Sequence, residues 1–377
     1  MTEPILDFIV INPMDITYGS THRLRQLTSF LRQDGYRVAY IESNYSGSAT
    51  DIISVPQTNN LFGFLKGTWK RLGYVFRLNY RILFTQTFTP LTAPLILVAK
   101  LKGKAVVVDW DDLGYPLQAN LLRAYLVKLC EWIFPRICDL IVTPSRYIQS
   151  WGQKRGVKKI FHLPHGVDLS LFKLKPKNII LQKQLSLQGR TVLVFLASFT
   201  TGGVMDLDVI VEAARRVEQE RSKTTLLIIG GGPLFERYHK YISRAGLSNW
   251  VMTGYLPQNQ IPNYLNLGDI ALIFMRDNLA NRMKTSLKVL EYLATGKTVI
   301  GHLVGETKDR LCRYCHLCGP SASSLAQMII AVMDKEIPPL ETIKPDNYSW
   351  EVSRRQLMAL LKEQLLVELY PEHEDRN

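Results

Sequence analysis

From residue 52 to residue 108 the sequence holds no aspartate or glutamate. The same stretch carries Lys66, Lys70, Arg71, Arg77, Arg81, Lys100, Lys102 and Lys104, with Phe62, Phe64, Trp69, Tyr74, Phe76 and Tyr80 between them. An acid-free, aromatic and helix-length segment suits the anionic headgroups of a lipid surface. Basic patches bind phosphates of any kind, so nucleic acid and a merely solvated face are the competing readings. The lipid surface, through residues 62–81, is preferred, and no nucleic-acid partner is expected. Other absences narrow the class further. The longest apolar run, residues 91–99, falls well short of the roughly 20 residues of a membrane span. Glu3 and Asp7 lead into a strand rather than a secretory signal. Five cysteines are an odd number in a long chain, which predicts reduced thiols and a cytoplasmic protein, at most peripheral on the inner face of the membrane. Residues 230–233 read GGGP and lack the third glycine of a dinucleotide fingerprint. Cys312, Cys315 and Cys318 stand at two-residue gaps around His316, but no fourth ligand has a recognised zinc spacing, so no metal is expected.

What remains is ample for two cores. The chain has 377 residues, 46% hydrophobic and 21% charged, with a net charge of +13. That composition fits a globular protein of two ordinary domains. Residues 5–12 form a continuous apolar run of the kind that makes a buried parallel strand. A helix over 21–34 and a strand over 37–41 complete a β-α-β unit, which predicts an α/β class with a parallel sheet. Gly19, Ser20, His22 and Arg23 fall between strand end and helix start, where open α/β sheets place ligands. Simple turn chemistry is the alternative there. Residues 121–133 read as an amphipathic helix, and Ser145 as a helix cap. A second β-α-β array begins at Thr191, with a helix over 207–220. The predicted organisation is a domain over 1–172, a polar linker over 173–190, a second domain over 191–347 and a closing helical segment over 348–377.

The strand over 105–108 ends in Asp109, Asp111 and Asp112. Carboxylates at a strand end are costly unless solvated or used. They are read here as a polar floor for an acceptor, with Asp111 or Asp112 accepting a hydrogen bond or a proton. A magnesium or manganese site is the discounted alternative.

Residues 282–300 read as loop, helix and buried strand. Thr285 or Ser286 starts the helix, and Gly296 ends it at a position tolerant of positive φ. The first amides of such a helix lack intrahelical partners and, with the dipole, make an anion site. Lys288, Glu291 and Tyr292 share one helical neighbourhood. An ordinary amphipathic helix with Glu291 solvated is the alternative.

The words SLKVLEYLATGKTVI, residues 286–300, resemble the nucleotide-sugar segment of GT-B glycosyltransferases, particularly the large retaining family 4. There the text runs S-P-x-K-x-x-E-Y-x-A-x-G-K-P-V. Of the E-x7-E pair found in many members, Glu291 is present and Met283 stands in place of the first glutamate. GGGP matches the family's G-x-G-P, and residues 250–256 its v-x-F-x-G-x-v strand. Residues 164–168, PHGVD, resemble its P-N-G-V-D with His165 for asparagine. Residues 109–115 are similar to the D-W-H-N-x-G-Y of the β-mannosyltransferases that extend chitobiosyl-diphosphodolichol, with Asp111 where histidine is usual.

The resemblance implies two Rossmann-like domains facing across a cleft, with the last helix crossing back to the first domain. It implies that Glu291 holds the ribose, that the amides near Ser286 and Leu287 hold the distal phosphate, and that Gly254 and Tyr255 meet the base. Family members use an Arg and a Lys in the loop after the first strand of the second domain. That loop, 198–205, has neither. Ser198, Thr200, Gly202 and Gly203 are its candidate replacements, with positive charge from Arg276, Arg282, Lys284 or Lys288. Asp111 is the catalytic candidate. Gly19, Ser20, His22, Arg23 and Asp112 are the acceptor candidates. The expected activity is sugar transfer from a nucleotide-diphosphate sugar to a hydroxyl of a glycan or lipid-linked acceptor, without a metal or other cofactor. Family 4 implies retention and the β-mannosyltransferases inversion. A nucleotide-sugar epimerase, or a binding protein without turnover, is the alternative.

Overall fold

The computed structural model describes residues 5–15, 19–45, 52–58, 61–118, 120–200 and 206–366. The chain divides into two units, residues 1–165 with 350–377, and residues 166–349.

The first unit runs β1 (Leu6–Asp15), α1 (Gly19–Thr28), β2 (Val38–Ser43), β3 (Ile52–Val55), α2 (Leu61–Arg77), β4 (Tyr80–Gln86), α3 (Ala93–Leu101), β5 (Ala105–Asp109), α4 (Leu121–Ile133), β6 (Leu140–Thr143), α5 (Arg146–Gln153) and β7 (Ile160–His162). Its strands form one parallel sheet in the order β3-β2-β1-β4-β5-β6-β7. The strands are apolar runs because helices cover both faces of such a sheet. Phe8, Ile9, Ile11, Ile82, Leu83, Val106, Val107 and Ile141 are all fully buried. Each contributes about 1.5–3 kcal/mol by leaving water.

The second unit runs α6 (Ile179–Gln184), β8 (Thr191–Leu196), α7 (Leu207–Glu220), β9 (Thr224–Ile229), α8 (Phe235–Arg244), β10 (Trp250–Met252), α9 (Ile261–Leu265), β11 (Ile270–Phe274), α10 (Leu279–Met283), α11 (Leu287–Ala294), β12 (Thr298–His302), α12 (Gly305–Leu311), β13 (Cys315–Leu317) and α13 (Ala322–Met333). Its parallel sheet has the order β10-β9-β8-β11-β12-β13. Period-two alternation splits each strand between two core layers. Val192, Val194 and Leu196 enter one layer, and Leu193 and Phe195 the other. The chain then returns to the first unit as α14 (Trp350–Leu361). There Arg354 bonds Gln26 and Ser29 of α1 at 2.8–2.9 Å, and Ser353 donates to the Pro164 carbonyl at 2.8 Å.

The α/β class with two parallel Rossmann-like sheets is therefore observed. The predicted linker has a different character. Residues 173–190 contain α6 and lie inside the second unit. Their polar groups are stitched to it: Asn266 receives the Lys175 amide at 3.0 Å and gives a bond to the Lys173 carbonyl at 3.1 Å, and Lys177 pairs with Asp269 at 2.6 Å. Polar composition marked a surface stretch, and partners distant in sequence made it an ordered one. The helix predicted over 207–220 has those bounds, and Ser145 caps α5 by accepting from the Ile148 amide at 3.3 Å.

Candidate functional site

In the second unit three strand ends converge on the glycines after β9. Gly230 has φ +135°, and a Cβ there would lie 1.9 Å from the Ala197 carbonyl oxygen. Gly230 also bridges Gly254, and a Cβ on Gly231 would lie 2.4 Å from the Tyr255 amide. The glycines thus let the loops after β8 and β10 close on β9. They bring Ser198, Gly254 and Tyr255 to one edge of the sheet, with Tyr255 largely exposed.

Helix α11 approaches the same edge. The Leu196 amide at the end of β8 donates to the Tyr292 hydroxyl at 2.7 Å, which fixes α11 against that strand. Ser286 occupies the N-cap, yet no side chain caps the helix. The Ser286 amide itself is taken. It donates to the Thr307 hydroxyl at 3.0 Å, and that hydroxyl donates to the Lys284 carbonyl at 3.0 Å. The anion site read onto this helix therefore begins at Leu287 rather than Ser286. Gly296 ends the helix with φ +68°.

Charge on this helix is held in an apolar setting. Lys288 lies over the Phe195 ring, 5.1 Å from its centroid. Desolvation, then the neighbouring Lys284, lowers its ammonium to about 7. Desolvation raises the Glu291 carboxyl to about 8, opposed by Lys288. Among the described residues neither Lys284 nor Lys288 forms an ion pair. The other two proposed cations are engaged. Arg276 pairs with Asp206 at 3.2 Å and Asp208 at 2.6 Å, and Arg282 bonds Asp277 at 2.5 and 2.8 Å. Nearby acids, invisible as partners in sequence, thus remove Arg276 and Arg282 as free charges and leave the two lysines. Met283, in place of the first glutamate, is buried on α10. Gly202 and Gly203 lie outside the described residues, and Thr200 donates its amide to the Ser198 carbonyl at 2.8 Å.

In the first unit the strand-end carboxylates separate. Asp109 is fully buried and Asp111 is 6% exposed, whereas Asp112 is only partly covered. Arg23 of α1 bonds both Asp109 oxygens at 2.9 and 3.0 Å and the Leu163 carbonyl at 2.8 Å. Its Nη1 stands 3.4 Å from His165 Nδ1. Arginine only donates, so Nδ1 accepts and the proton sits on Nε2, which faces Asp111 Oδ1 at 3.3 Å. Burial raises the Asp109 carboxyl above its ordinary range, and Arg23 opposes the rise. Trp350 closes the group edge-on to His22 and His165, at 6.1 and 6.0 Å.

Arg23, read as an acceptor ligand, is therefore turned inward as a support for Asp109 and His165. His22 stays at the rim of this cluster. Gly19 and Ser20 open α1. Sequence reading missed Trp350, which is distant along the chain, and Glu131 of α4. Glu131 accepts the Gly114 amide at 2.5 Å and so braces the Asp111–Asp112 loop from beneath. Burial raises its carboxyl to about 8.

The cysteine triplet is split between layers. Cys315 packs in one core layer of the second unit and Cys318 against the other. Among the described residues no three His, Cys, Asp or Glu side chains group as metal ligands.

Comparison with known families decides the lineage. Residues 18–171 match the model described as Glycosyltransferase Family 4, and residues 190–335 the model described as Glycosyl transferases group 1. The chain belongs to the group 1, family-4-like glycosyltransferases of the GT-B fold. The chain is 28% identical over 216 residues to a Bacillus subtilis (strain 168) protein assigned to teichuronic acid biosynthesis as glycosyltransferase TuaH. That match spans 52% of this chain and about half, 50%, of the relative's length. Among solved structures, the fold matches sucrose-phosphate synthase from Thermosynechococcus elongatus with a TM-score of 0.73 at 15% identity, covering 95% of this chain and 98% of the other. It matches Anabaena Alr3699/HepE in complex with UDP-glucose with a TM-score of 0.71 at 16% identity, covering 94% and 99%. At these identities the likeness concerns the fold.

Proposed function

We propose that this glycosyltransferase moves a sugar from a nucleotide-diphosphate sugar to a hydroxyl of a glycan or lipid-linked acceptor, with retention and without a metal. The observation that carries the reading is α11: a helix start without a side-chain cap, two lysines that form no ion pair among the described residues, and Glu291 on the next turns. The amides from Leu287 onward and the lysines stabilise the departing diphosphate. Glu291 accepts from the ribose hydroxyls, and Gly254 and Tyr255 flank the base. The UDP-glucose bound by the Anabaena relative favours a uridine donor. As the sugar's bond to the diphosphate breaks and the acceptor oxygen bonds the same carbon, the acceptor hydroxyl needs an orienting base. Asp111, held by His165 and Arg23, takes that part, with Asp112 and His22 at the rim.

The acceptor is read as lipid-linked because of the first unit's surface. Phe62, Trp69 and Phe76 of α2 are each 70–74% exposed, beside Lys66, Lys70 and Arg77. On α4, Leu121, Leu122, Tyr125 and Trp132 are also exposed. No described helix is long and apolar enough to cross a membrane. Apolar side chains amid lysines suit peripheral binding to the inner face of a cell membrane.

The deciding experiment is incubation with a panel of UDP-, GDP- and ADP-sugars and lipid-linked acceptors. Transfer or hydrolysis supports the proposal. Sugar isomerisation makes the chain an epimerase, and binding alone makes it a receptor for the nucleotide sugar. Co-sedimentation with anionic vesicles, lost in Trp69→Ser with Phe76→Ser, tests the membrane part.

A further inference from the structure

The turns after β9 and β10 are tied together by one hydroxyl. Thr253 directly follows β10 and is half-buried. Its Oγ1 accepts the Gly230 amide at 3.1 Å and donates to the Gly254 carbonyl at 2.9 Å. A hydroxyl has a single proton, and this one is directed to Gly254. The Thr253 amide donates to the Ile228 carbonyl at 3.1 Å. Backbone and side chain of one residue therefore both hold the exit of β10 against β9.

The tie stands between two glycines in the left-handed region, Gly230 at φ +135° and Gly254 at φ +74°. Glycine backbone has wide conformational freedom, so its course is set by what bonds to it. One side of the segment is packed and the other is open. A Cβ on Gly231 would lie within 2.9 Å of the Tyr255 amide nitrogen, Cα and Cβ, whereas a Cβ on Gly254 would meet nothing within 4 Å. Tyr255, beside that open side, is 72% exposed. An open backbone segment next to an exposed aromatic ring, at the carboxyl edge of a parallel sheet, suits a planar heterocycle. The ring offers a stacking face, and the backbone offers C=O and N–H groups to the heterocycle's edge.

We propose that Thr253 is the positioning residue that sets which nucleotide base the second unit accepts. It touches no ligand itself. It fixes the Gly254 carbonyl and the Tyr255 amide, and with them the order of acceptor and donor presented to the base. Uracil, guanine and adenine carry different donor and acceptor orders on their edges. A backbone edge tells them apart only while its own groups are held in place. The inference rests on the nucleotide-sugar reading of this unit and adds the residue behind base choice. Ribose and diphosphate, assigned to α11, are common to these donors and carry no such choice.

The test is equilibrium binding of UDP, GDP and ADP to the full chain. The three share ribose and diphosphate, so the ratio of their affinities reports the base alone. Wild type should prefer one of them by at least about tenfold. Thr253→Val keeps the shape and removes the hydroxyl. It should bind the preferred nucleotide about tenfold more weakly, since two neutral hydrogen bonds are lost, and its preference should shrink several-fold. Thr253→Ser restores both bonds and should restore the ratio. Should the valine variant not fold, Thr253→Ala removes the same hydroxyl without steric demand and is read in its place. A wild type that binds none of the three overturns the nucleotide-sugar reading and this inference with it. Three results overturn this inference alone. They are equal binding of the three by wild type, an unchanged ratio in the valine or alanine variant even where all affinities fall together, and a serine variant that behaves like the valine one.

Discussion

Arg23 Nε lies 2.9 and 3.0 Å from the two carboxylate oxygens of Asp109, a residue 86 positions away. This buried pair joins α1 to the end of β5, and it sets the proton position on His165 through Nη1. The pair therefore holds the first unit's candidate acceptor edge together.

Removing one partner strands the other. Arg23→Met leaves Asp109 as a buried carboxylate without its cation, and such losses run about 3–5 kcal/mol. Urea unfolding should register that loss, and Asp109→Asn added to Arg23→Met should restore part of it. A single Arg23→Met within about 0.5 kcal/mol of wild type would contradict the pairing.

Glu131 makes stability depend on pH. Its folded carboxyl is raised to about 8 from an ordinary 4.5. A raised group favours the fold below its unfolded value, and that contribution is lost as pH climbs through the folded value. Glu131→Gln keeps an acceptor for the Gly114 amide and removes the titration. The variant should gain on wild type by about 2–4 kcal/mol between pH 5 and pH 9. Parallel stability curves for the two proteins across that range would sink this account.

The proposed role of Lys288 would couple donor binding to protons. Its ammonium is lowered to about 7, so above that pH the free protein has largely lost the charge. A diphosphate beside it restores the charge. Nucleoside diphosphate binding should take up a proton and weaken from pH 7 to pH 9. Glu291 titrates in the opposite sense, since ribose hydroxyls favour its ionised form, so the uptake is read in a Glu291→Gln background. Calorimetry in two buffers of different ionisation enthalpy gives the number of protons. Lys288→Met should reduce it to zero, and heats independent of buffer before that substitution would count against the assignment.

Gly230 is a steric requirement. Alanine there needs φ +135° and places Cβ 1.9 Å from a backbone oxygen. Gly230→Ala should cost at least about 2 kcal/mol, with nucleotide affinity falling as the loops after β8 and β10 part. Wild-type stability and affinity in that variant would show that the convergence is dispensable.

Reading these sites from sequence succeeded where the signal is local. The helix bounds at α4 and α7, the cap at Ser145 and the left-handed Gly296 all follow from neighbours within a few residues. It failed where partners are remote. Arg276 and Arg282 looked like free cations because Asp206, Asp208 and Asp277 gave no sign of pairing with them. Ser286 looked like a free amide because Thr307 lies 21 positions on. Arg23 looked like a ligand contact because nothing local announced Asp109.

The sequence alone determined two α/β domains and the family, since apolar runs, glycine positions and the words around Glu291 act over short spans. Only the tertiary structure decided which charges are spent inside the protein and which remain for a ligand. Pairing depends on distances between residues far apart in the chain, and burial sets what an unpaired charge costs. That is why, among the described residues, the proposed diphosphate site keeps Lys284 and Lys288 rather than Arg276 and Arg282, and Arg23 serves Asp109.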